Sequence, residues 1–366
     1  MQNQNPKRTG PAQRPVLPQV RYHPSIQTTG GGVTSTNRTQ RIQNQDTTNR
    51  TTPAARPDPD PPQNPKRAPP RPKPDPQEVQ NQDTNNRTTP AARPDPDGGQ
   101  RPEPVPVGLG VQMDRGLVED VEVLTRGQRT NPDWFAWRKN RITASVAHSI
   151  AHCKFVNGRS LTPPSSYLAA VTGEGPRVQT RAMSWGVEME AEAVRRYQAL
   201  KTSALGRPVS VLDCGLFIDP RRPWLAASPD GIVVDHRTGR RLLCLEVKCP
   251  YKHRHRRVED ACREDKAFCL QIQDQDGHQD GQPPSYRLKT SHSYFTQIQC
   301  QLAVTGLEKA DLVVFTLEET AVVPVDFDPE LWEETVSKLE VFYRDAVLPR
   351  VKQRTRETSA AWTPEQ

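Results

Sequence analysis

Aromatic residues and cysteine are almost absent from the first part of this chain. Up to residue 110 the only aromatic side chain is Tyr22, and all seven Cys and all six Trp lie after residue 130. Proline is abundant there instead, since 22 of the 37 Pro lie before residue 107. A segment with so few large apolar side chains cannot bury a core. We therefore predict that residues 1–112 form a disordered, low-complexity tail.

This tail contains a duplicated segment. Gln43–Asp60 and Gln80–Asp97 are identical at 17 of 18 positions. Neither copy has an apolar period, so the repeat does not predict a solenoid, and its alternating proline and charge favour extended backbone. Residues 1–110 hold 15 Lys and Arg against 9 Asp and Glu. Such a basic tail either attracts nucleic acid weakly or serves only as a soluble extension.

The chain also lacks a long apolar run, and its first residues show no secretion signal. We therefore expect neither secretion nor membrane insertion. The seven Cys show no spacing typical of a disulfide framework, which favours a reducing compartment. We expect an intracellular protein, nuclear rather than cytoplasmic, because Lys66-Arg67 and Arg71-Pro-Lys73 are short basic clusters that could serve nuclear import.

Residues 113–352 have the composition of one folded domain, which is long enough to bury a core. The predicted strands are Val211–Ile218, Gly231–Asp235, Arg241–Val247, Asp311–Leu317 and Thr320–Val325. The predicted helices run from Thr143 to His152, over Ser184–Lys201 and Ser293–Thr305, and onward from Asp328. This order predicts an α/β fold in which helices flank a mixed β-sheet. Residues 259–288 are expected to form an insertion, most disordered over Gln271–Pro284, and residues 353–366 to fray.

Two charged residues share one face of the predicted strand Arg241–Val247. Because alternate residues of a strand face opposite sides, Leu245 and Val247 are expected to point into a core, while Glu246 and Lys248 share the other face. A carboxylate and an ammonium at this spacing are typical of a metal-dependent phosphodiesterase. The alternative is a Glu-x-Lys pair on the exposed face of an edge strand.

Asp230 lies in Ser228-Pro-Asp-Gly, a turn that leads into the preceding strand. Beside Glu246 it would supply two oxygen ligands that suit Mg²⁺ or Mn²⁺. A cation held there activates water and stabilises charge on a scissile phosphate. Lys248 could orient or deprotonate that water, or neutralise the developing charge. An ordinary Asp-Gly turn is the structural alternative.

Glu190 is a further acidic candidate, on the predicted helix Ser184–Lys201. It precedes Ala193, Val194 and Tyr197 by three, four and seven residues, so we predict that it lies on the apolar stripe. An unpaired carboxylate is costly at a buried position. The spacing therefore favours a functional role for a buried acid.

Polar side chains on or near two other predicted helices are also candidates. Gln297 and Gln301 fall on one side of their predicted helix, where Gln297 could hold a water molecule or a phosphate oxygen, or belong to a structural polar seam. Arg138 and Ser145 flank the start of another helix. A guanidinium, a hydroxyl and free amides there can bind phosphate. A structural Arg stacked on tryptophan is the alternative.

A basic segment, Lys252-His-Arg-His-Arg-Arg257, directly follows the charged strand. Lys252 and Arg254 could bind DNA phosphates, or the segment could be a solvated loop. A zinc site is a further alternative, although the spacing matches no familiar finger. Its ligands would be Cys249, His253, His255 and Cys262.

Five short motifs occur in one order along the domain. They are Trp134-x3-Arg138-x3-Ile142-Thr-Ala-Ser145, Trp185-Gly-x3-Glu190, Ser228-Pro-Asp230-Gly, Leu245-Glu246-Val-Lys248-Cys-Pro250 and Tyr294-x2-Gln297-x-Gln. Together they resemble the YqaJ viral recombinase domain family, which is similar to phage lambda exonuclease within the PD-(D/E)XK nuclease superfamily. The resemblance covers roughly residues 120–350 and implies a restriction-endonuclease-like core.

The resemblance implies a Mg²⁺-dependent exonuclease, with Mn²⁺ as an alternative ion. By it, Asp230, Glu246 and the Val247 carbonyl would be metal ligands. Glu190 would support the metal site. Lys248 would act on the nucleophilic water, with assistance from Gln297.

The substrate implied by the resemblance is the end of linear double-stranded DNA, degraded 5′→3′ in recombination, repair or mobile-element processing. Arg138 and Ser145 would bind the 5′-phosphate, with Ser228, Lys252 and Arg254 as further DNA contacts. Members of such families form ring-like trimers, and a single-strand annealing protein is an expected partner. Two alternatives stay open: a non-catalytic DNA-binding accessory and a structure-specific endonuclease.

Overall fold

The computed structural model describes residues 102–104, 108–176, 178–273 and 284–360. The predicted tail up to residue 101 lies outside these residues, as do residues 274–283 of the predicted insertion and residues 361–366. Within the described part, the helices are α1 (Arg115–Leu124), α2 (Pro132–Arg138), α3 (Ala144–Ala151), α4 (Ser165–Thr172), α5 (Arg181–Leu205), α6 (Val258–Glu264), α7 (Ser293–Thr305), α8 (Pro329–Phe342) and α9 (Leu348–Ala360). The strands are β1 (Ile142–Thr143), β2 (Val209–Leu212), β3 (Phe217–Ile218), β4 (Leu225–Ala227), β5 (Gly231–Asp235), β6 (Arg241–Lys248), β7 (Leu270–Gln273), β8 (Ser285–Leu288), β9 (Lys309–Phe315) and β10 (Thr320–Asp326).

Five strands form the larger sheet, in the order β10-β9-β6-β5-β2. The middle strand β6 runs parallel to β9 and antiparallel to β5. The outer pairs β10–β9 and β2–β5 are antiparallel. Because β6 has a neighbour on each side, the edge-strand alternative for Glu246 and Lys248 is wrong.

Helices cover both faces of this sheet. On one face Tyr197 of α5 packs in a cluster with Leu245 and Val247 of β6. On the other face Ile298 of α7 belongs to the same cluster as Cys244, and α3 and α8 pack against α7. The predicted alternation along β6 is confirmed, and so is the predicted α/β fold with a mixed sheet flanked by helices.

Capping residues set the ends of the two helices that border the site. Helix α7 begins after His292, whose side chain accepts a hydrogen bond from the Tyr294 amide, and it ends at Gly306 with φ 71°. Helix α5 begins after Thr180, whose hydroxyl accepts a hydrogen bond from Met183. The N-terminal cap of α5 lies earlier than the predicted start, so this helix is longer than Ser184–Lys201.

A smaller sheet of order β1-β4-β3 lies beside α1 and α2. The prediction of one strand over Val211–Ile218 is wrong, because the chain leaves the larger sheet after Leu212 and joins the smaller one at Phe217. Gly215 between them lies against α1, where a Cβ atom would come within 2.0 Å of the Glu122 carbonyl oxygen. The close packing of α1 thus depends on glycine at this position.

Two other segments are more ordered than the sequence predicted. Helix α4 lies in a stretch for which no helix was predicted, and α9 continues to Ala360, inside the end expected to fray. Within the described part of the chain, none of the helices has both the length and the apolar character needed to cross a bilayer.

Candidate active site

Glu246 lies on the middle strand of the larger sheet, and only 1% of its surface is exposed. Gln297 Nε2 donates to its Oε1 over 2.6 Å, and Gln301 Nε2 donates to its Oε2 over 2.6 Å. The two glutamines are one turn apart on α7, so a single helix face supplies both donors. These bonds fix the orientation of the buried carboxylate.

Lys248 projects from the same face of β6. Its Nζ lies 2.5 Å from Glu246 Oε1 and 4.6 Å from the centre of the Tyr294 ring. Burial by itself would lower the pKa of Lys248, but the carboxylates of Glu246 and Asp230 together raise this pKa above its ordinary value. The lysine therefore carries its positive charge at neutral pH.

Asp230 lies in the turn between β4 and β5, and its side chain is directed towards Glu246 and Lys248. Its Oδ2 accepts a hydrogen bond of 2.7 Å from the Val247 amide. Burial raises the pKa of the Asp230 carboxyl well above its ordinary value, and the charges of Glu246 and Glu190 raise it further, although Lys248 opposes them. A cluster with more negative than positive groups, built from hard oxygen donors, fits a bound divalent cation.

Glu190 faces this cluster from α5, but it is not buried as predicted. Its side chain is 37% exposed, and Arg129 Nη2 lies 3.1 Å from Oε2. The expectation of a buried acid is wrong because the buried residues of α5 begin only at Ala193. Its partial burial raises the pKa of Glu190, and the charge of Arg129 opposes this increase.

One cavity of about 1090 Å³ connects these groups. Its lining includes every residue predicted to act in catalysis or hold the metal, namely Glu190, Asp230, Glu246, Val247, Lys248 and Gln297. The structure therefore brings these predicted residues together, while their individual roles stay predictions. Arg129 and Asp213 also line the cavity, and neither was singled out from the sequence.

Arg138 and Ser145 do not line this cavity, but they lie directly behind its wall. The Arg138 guanidinium is 4.0 Å from the centre of the Trp134 ring, and Nη2 donates to Thr143 Oγ1 over 3.4 Å. Ser145 Oγ is 3.3 Å from the same hydroxyl. Trp134 lines the cavity and donates from Nε1 to Ser228 Oγ over 2.9 Å.

The Arg138 side chain is partly buried and has no counter-charge among the described residues. Burial lowers its pKa to about 10, and no carboxylate contributes to this shift. Among the ion pairs of the described residues, none involves Arg138. The stacking on Trp134 agrees with the structural alternative, whereas the missing counter-charge leaves this cation available to an anion.

The basic segment after β6 is largely neutralised by α6 and the residues around it. Lys252 Nζ lies 2.7 Å from Asp265 Oδ2, and Lys252 also lines the cavity. Arg254 donates to the Tyr251 carbonyl over 2.8 Å, and its guanidinium stacks on the Tyr251 ring. Of the two residues predicted to contact DNA here, only Lys252 reaches the cavity.

The zinc alternative receives no support from the geometry. His253 Nε2 lies 2.9 Å from Asp265 Oδ2, and its ring packs against Phe268. Across the described ranges, no group of three or more His, Cys, Asp or Glu residues is arranged to hold a metal ion. This absence does not concern the predicted magnesium site, because that site has only two carboxylate side chains, Asp230 and Glu246, together with a backbone carbonyl.

Comparison with known proteins gives one family match. Residues 133–308 match the model of the YqaJ-like viral recombinase domain. No curated protein matches the chain. The matched residues include Trp134, Glu190, Asp230, Glu246 and Gln297, which belong to the five sequence motifs and line the cavity.

The chain is also similar to solved structures. An alkaline exonuclease from Laribacter hongkongensis is 19% identical, and the match covers 63% of this chain and 98% of that one, with a TM-score of 0.41. The Shutoff and Exonuclease Protein from Kaposi's sarcoma-associated herpesvirus is 13% identical over 63% of this chain and 72% of that one, with a TM-score of 0.41. A phage-related exonuclease from Haemophilus somnus is 14% identical over 58% and 96%, with a TM-score of 0.37.

Proposed function

We propose that this chain, whose residues 133–308 match the YqaJ-like viral recombinase domain, is a metal-dependent deoxyribonuclease that degrades linear duplex DNA from its ends. One observation carries the proposal: Asp230, Glu246 and Lys248 meet in one open cavity. Carboxylates that hold a cation and an ammonium that faces a phosphate are the groups that phosphodiester hydrolysis uses. An ion pair that only stabilises the fold requires no cavity.

Asp230 and Glu246 would hold a Mg²⁺ or Mn²⁺ ion together with the Val247 carbonyl. Their donor atoms are oxygens, which these cations prefer. The excess of negative charge that raises the pKa of Asp230 also supports a cation at this point. When bound, the ion lowers the pKa of a water molecule and stabilises charge on the scissile phosphate.

Lys248 acts as a cation rather than as a base in this proposal. Its pKa lies above the ordinary value, so the ammonium is protonated at neutral pH. It therefore neutralises negative charge on the scissile phosphate and orients a water molecule through its N–H groups. Gln297 and Gln301 hold the Glu246 carboxylate in place for this chemistry.

Arg138 and Ser145 form the proposed pocket for the terminal 5′-phosphate. The support is the partly buried guanidinium without a counter-charge among the described residues, next to two hydroxyls at the start of α3. Trp134 separates this pocket from the cavity and connects it to Ser228. Degradation in the 5′→3′ direction leaves a 3′ single strand, which is the substrate that a single-strand annealing partner would bind.

Digestion of matched DNA substrates tests the proposal. The full chain is incubated with Mg²⁺ and three forms of one duplex: linear with 5′-phosphate, linear with 5′-hydroxyl, and covalently closed. We expect release of mononucleotides from the linear forms, faster with 5′-phosphate, and no cutting of the circle. Label at either end distinguishes the two polarities.

Two variants control this experiment. Glu246→Gln is expected to lower the rate by about 10³-fold, since it removes charge from the site. Glu333→Gln, at an exposed position of α8, should retain the wild-type rate. Equal rates for Glu246→Gln and wild type would refute the proposal. Cutting of the covalently closed circle would indicate an endonuclease. DNA binding without hydrolysis would indicate a non-catalytic accessory protein.

A further inference from the structure

The turn Gly127–Thr130, which we name the bridging turn, contacts both sides of the cavity. Gln128 Nε2 donates to the Pro229 carbonyl over 2.8 Å and to the Cys214 carbonyl over 3.0 Å. The next residue, Arg129, pairs with Glu190 of α5. The side chains of Gln128 and Arg129 thus contact Pro229 on one side of the cavity and Glu190 on the other.

The bridging turn is held rigidly. Gly127 has φ 82° and Gln128 has φ 43°, both in the left-handed region. A non-glycine residue keeps this conformation only where its surroundings enforce it. Here Asn131 Nδ2 donates to the carbonyls of Leu124 and Arg126 over 2.7 and 2.9 Å, which ties the turn to the end of α1.

Helix α1 is fixed in turn against the segment that contains Cys214. Glu122 Oε1 accepts from the Gly215 amide over 2.9 Å, and Thr125 Oγ1 accepts from the Leu216 amide over 2.7 Å. These buried contacts hold the end of α1, and with it the bridging turn, beside the segment that contains Cys214. The Gln128 amide therefore projects from a stable base.

The Pro229 carbonyl is the backbone group through which hydrogen bonds can fix the residue before Asp230. Proline has no backbone N–H, so its carbonyl is its only backbone hydrogen-bonding group. That carbonyl accepts from Gln128 Nε2 and from Cys214 Sγ, the latter over 3.2 Å. The N–H of the same peptide bond, which belongs to Asp230, donates to the Leu245 carbonyl over 3.0 Å. Without Gln128, this peptide loses one of the three hydrogen bonds described for it.

We propose that Gln128 is a positioning residue, which fixes the Pro229 peptide so that the Asp230 carboxylate faces Glu246 at the spacing a divalent cation needs. Gln128 acts through Asp230 and need not contact DNA. The inference rests on the proposed function for the cation. Residues that orient metal ligands from behind affect metal affinity by about 10–100-fold.

Gln128→Asn is the sharpest test, because Asn tolerates positive φ better than most residues but its shorter amide cannot reach both carbonyls. Mn²⁺ binding to the full chain is measured by titration calorimetry without DNA. We expect about tenfold weaker Mn²⁺ binding with an unchanged melting temperature. Excess Mn²⁺ should restore the nuclease rate, with no change in KM for DNA. Gln128→Met, which removes the amide, should weaken Mn²⁺ binding at least as much.

A matched control exists outside the cavity. Asn157 Nδ2 also donates to two carbonyls, those of Ala151 and Cys153, over 3.2 and 2.8 Å. Asn157→Leu should lower stability and retain wild-type Mn²⁺ affinity. Unchanged Mn²⁺ affinity in both Gln128 variants would overturn the inference, as would wild-type protein that binds no Mn²⁺. Wild-type protein that binds Mn²⁺ but releases no nucleotide would refute only the proposed function.

Discussion

Gln301 donates a hydrogen bond of 2.6 Å to Oε2 of Glu246, while its own Oε1 is buried with no hydrogen-bond partner among the described residues. A buried carbonyl without a donor costs free energy. A hydrogen bond to a charged acceptor is stronger than one between neutral groups. The bond to Glu246 therefore offsets this cost, and Gln301 belongs to the support of the carboxylate as much as Gln297 does.

Replacing Gln301 should impair both stability and activity. Gln301→Leu leaves Oε2 of a buried carboxylate without a donor, so we expect the free energy of unfolding to fall by about 1–3 kcal/mol. If Glu246 holds the cation as proposed, the nuclease rate should fall about tenfold, since an outer support of that ligand is lost. Chemical denaturation and the rate per folded molecule measure the two effects.

Gln299 is the matched control on the same helix. Its Nε2 donates to the Asp326 carbonyl over 2.9 Å, and its Oε1 accepts from the Asp328 amide over 2.7 Å. Gln299→Leu should lose similar stability and retain the nuclease rate of folded protein. Equal loss of rate in both variants would contradict a specific effect of Gln301.

Two lysine–carboxylate pairs, one buried in the core and one open to the cavity, should respond differently to the loss of their ammonium. Lys201 Nζ lies 2.6 Å from Asp311 Oδ2, and both side chains are less than a tenth exposed. Lys201→Met leaves a buried charge uncompensated and should lower the free energy of unfolding by about 3–5 kcal/mol, without changing the rate per folded molecule. Lys248→Met should reduce that rate by about 10²-fold or more. Wild-type rates in folded Lys248→Met would exclude a catalytic role.

Arg138 and Arg141 give a second matched comparison. Arg141 also stacks on a tryptophan, Trp137, but it donates to the carbonyls of Pro223 and Trp137 over 2.9 and 2.7 Å. Arg141→Met should therefore lower stability and retain the preference for 5′-phosphorylated DNA. Arg138→Met should lower the ratio of rates on 5′-phosphate and 5′-hydroxyl ends by about tenfold or more, because a charged hydrogen bond is lost. An unchanged ratio would remove Arg138 from the phosphate pocket.

Acid should weaken the contact between α3 and α7. His148 Nδ1 lies 2.9 Å from Thr296 Oγ1, and burial lowers the pKa of His148, with further decreases caused by His152 and His292. The folded-state pKa is thus below the unfolded value of about 6.5. Below that pH the unfolded chain binds more protons, so the stability contribution is lost as pH falls.

His148→Gln should reduce this sensitivity. We expect a smaller decrease in melting temperature between pH 7 and pH 5 than in wild type. His255→Gln, at an exposed position, should leave the wild-type decrease unchanged. The same decrease in all three proteins would show that protonation of His148 does not destabilise the fold.

Local patterns predicted the elements whose ends depend on local chemistry. β5 and α7 have the predicted bounds Gly231–Asp235 and Ser293–Thr305, because a turn precedes one and Gly306 ends the other. The side-chain alternation along β6 follows from strand geometry alone. Helical spacing correctly placed Ala193 and Tyr197 on a buried face. It could not show that the buried part of α5 begins after Glu190, since this depends on where the helix passes the sheet.

The supports of the site were not predictable from the sequence. Arg129 pairs with Glu190 across 61 positions, and Gln128 reaches Pro229 across 101 positions. Neither pair has a local spacing rule, and each depends on how α1 packs against the smaller sheet. Charged residues on a strand or a helix recur at a spacing that the sequence reveals. A turn that contacts two such elements in space has no such spacing in the sequence.

The parallel ladder between β6 and β9 divides the site along the chain. Parallel strands cannot be joined by a tight turn, and here α6, β7, β8 and α7 lie between them. Glu246 and Lys248 therefore precede β7, whereas Gln297 and Gln301 follow β8. A chain cut between β7 and β8 would give two fragments, each with an incomplete site. We expect reassociation through the ladder to restore the site, so that only the paired fragments would show the proposed activity.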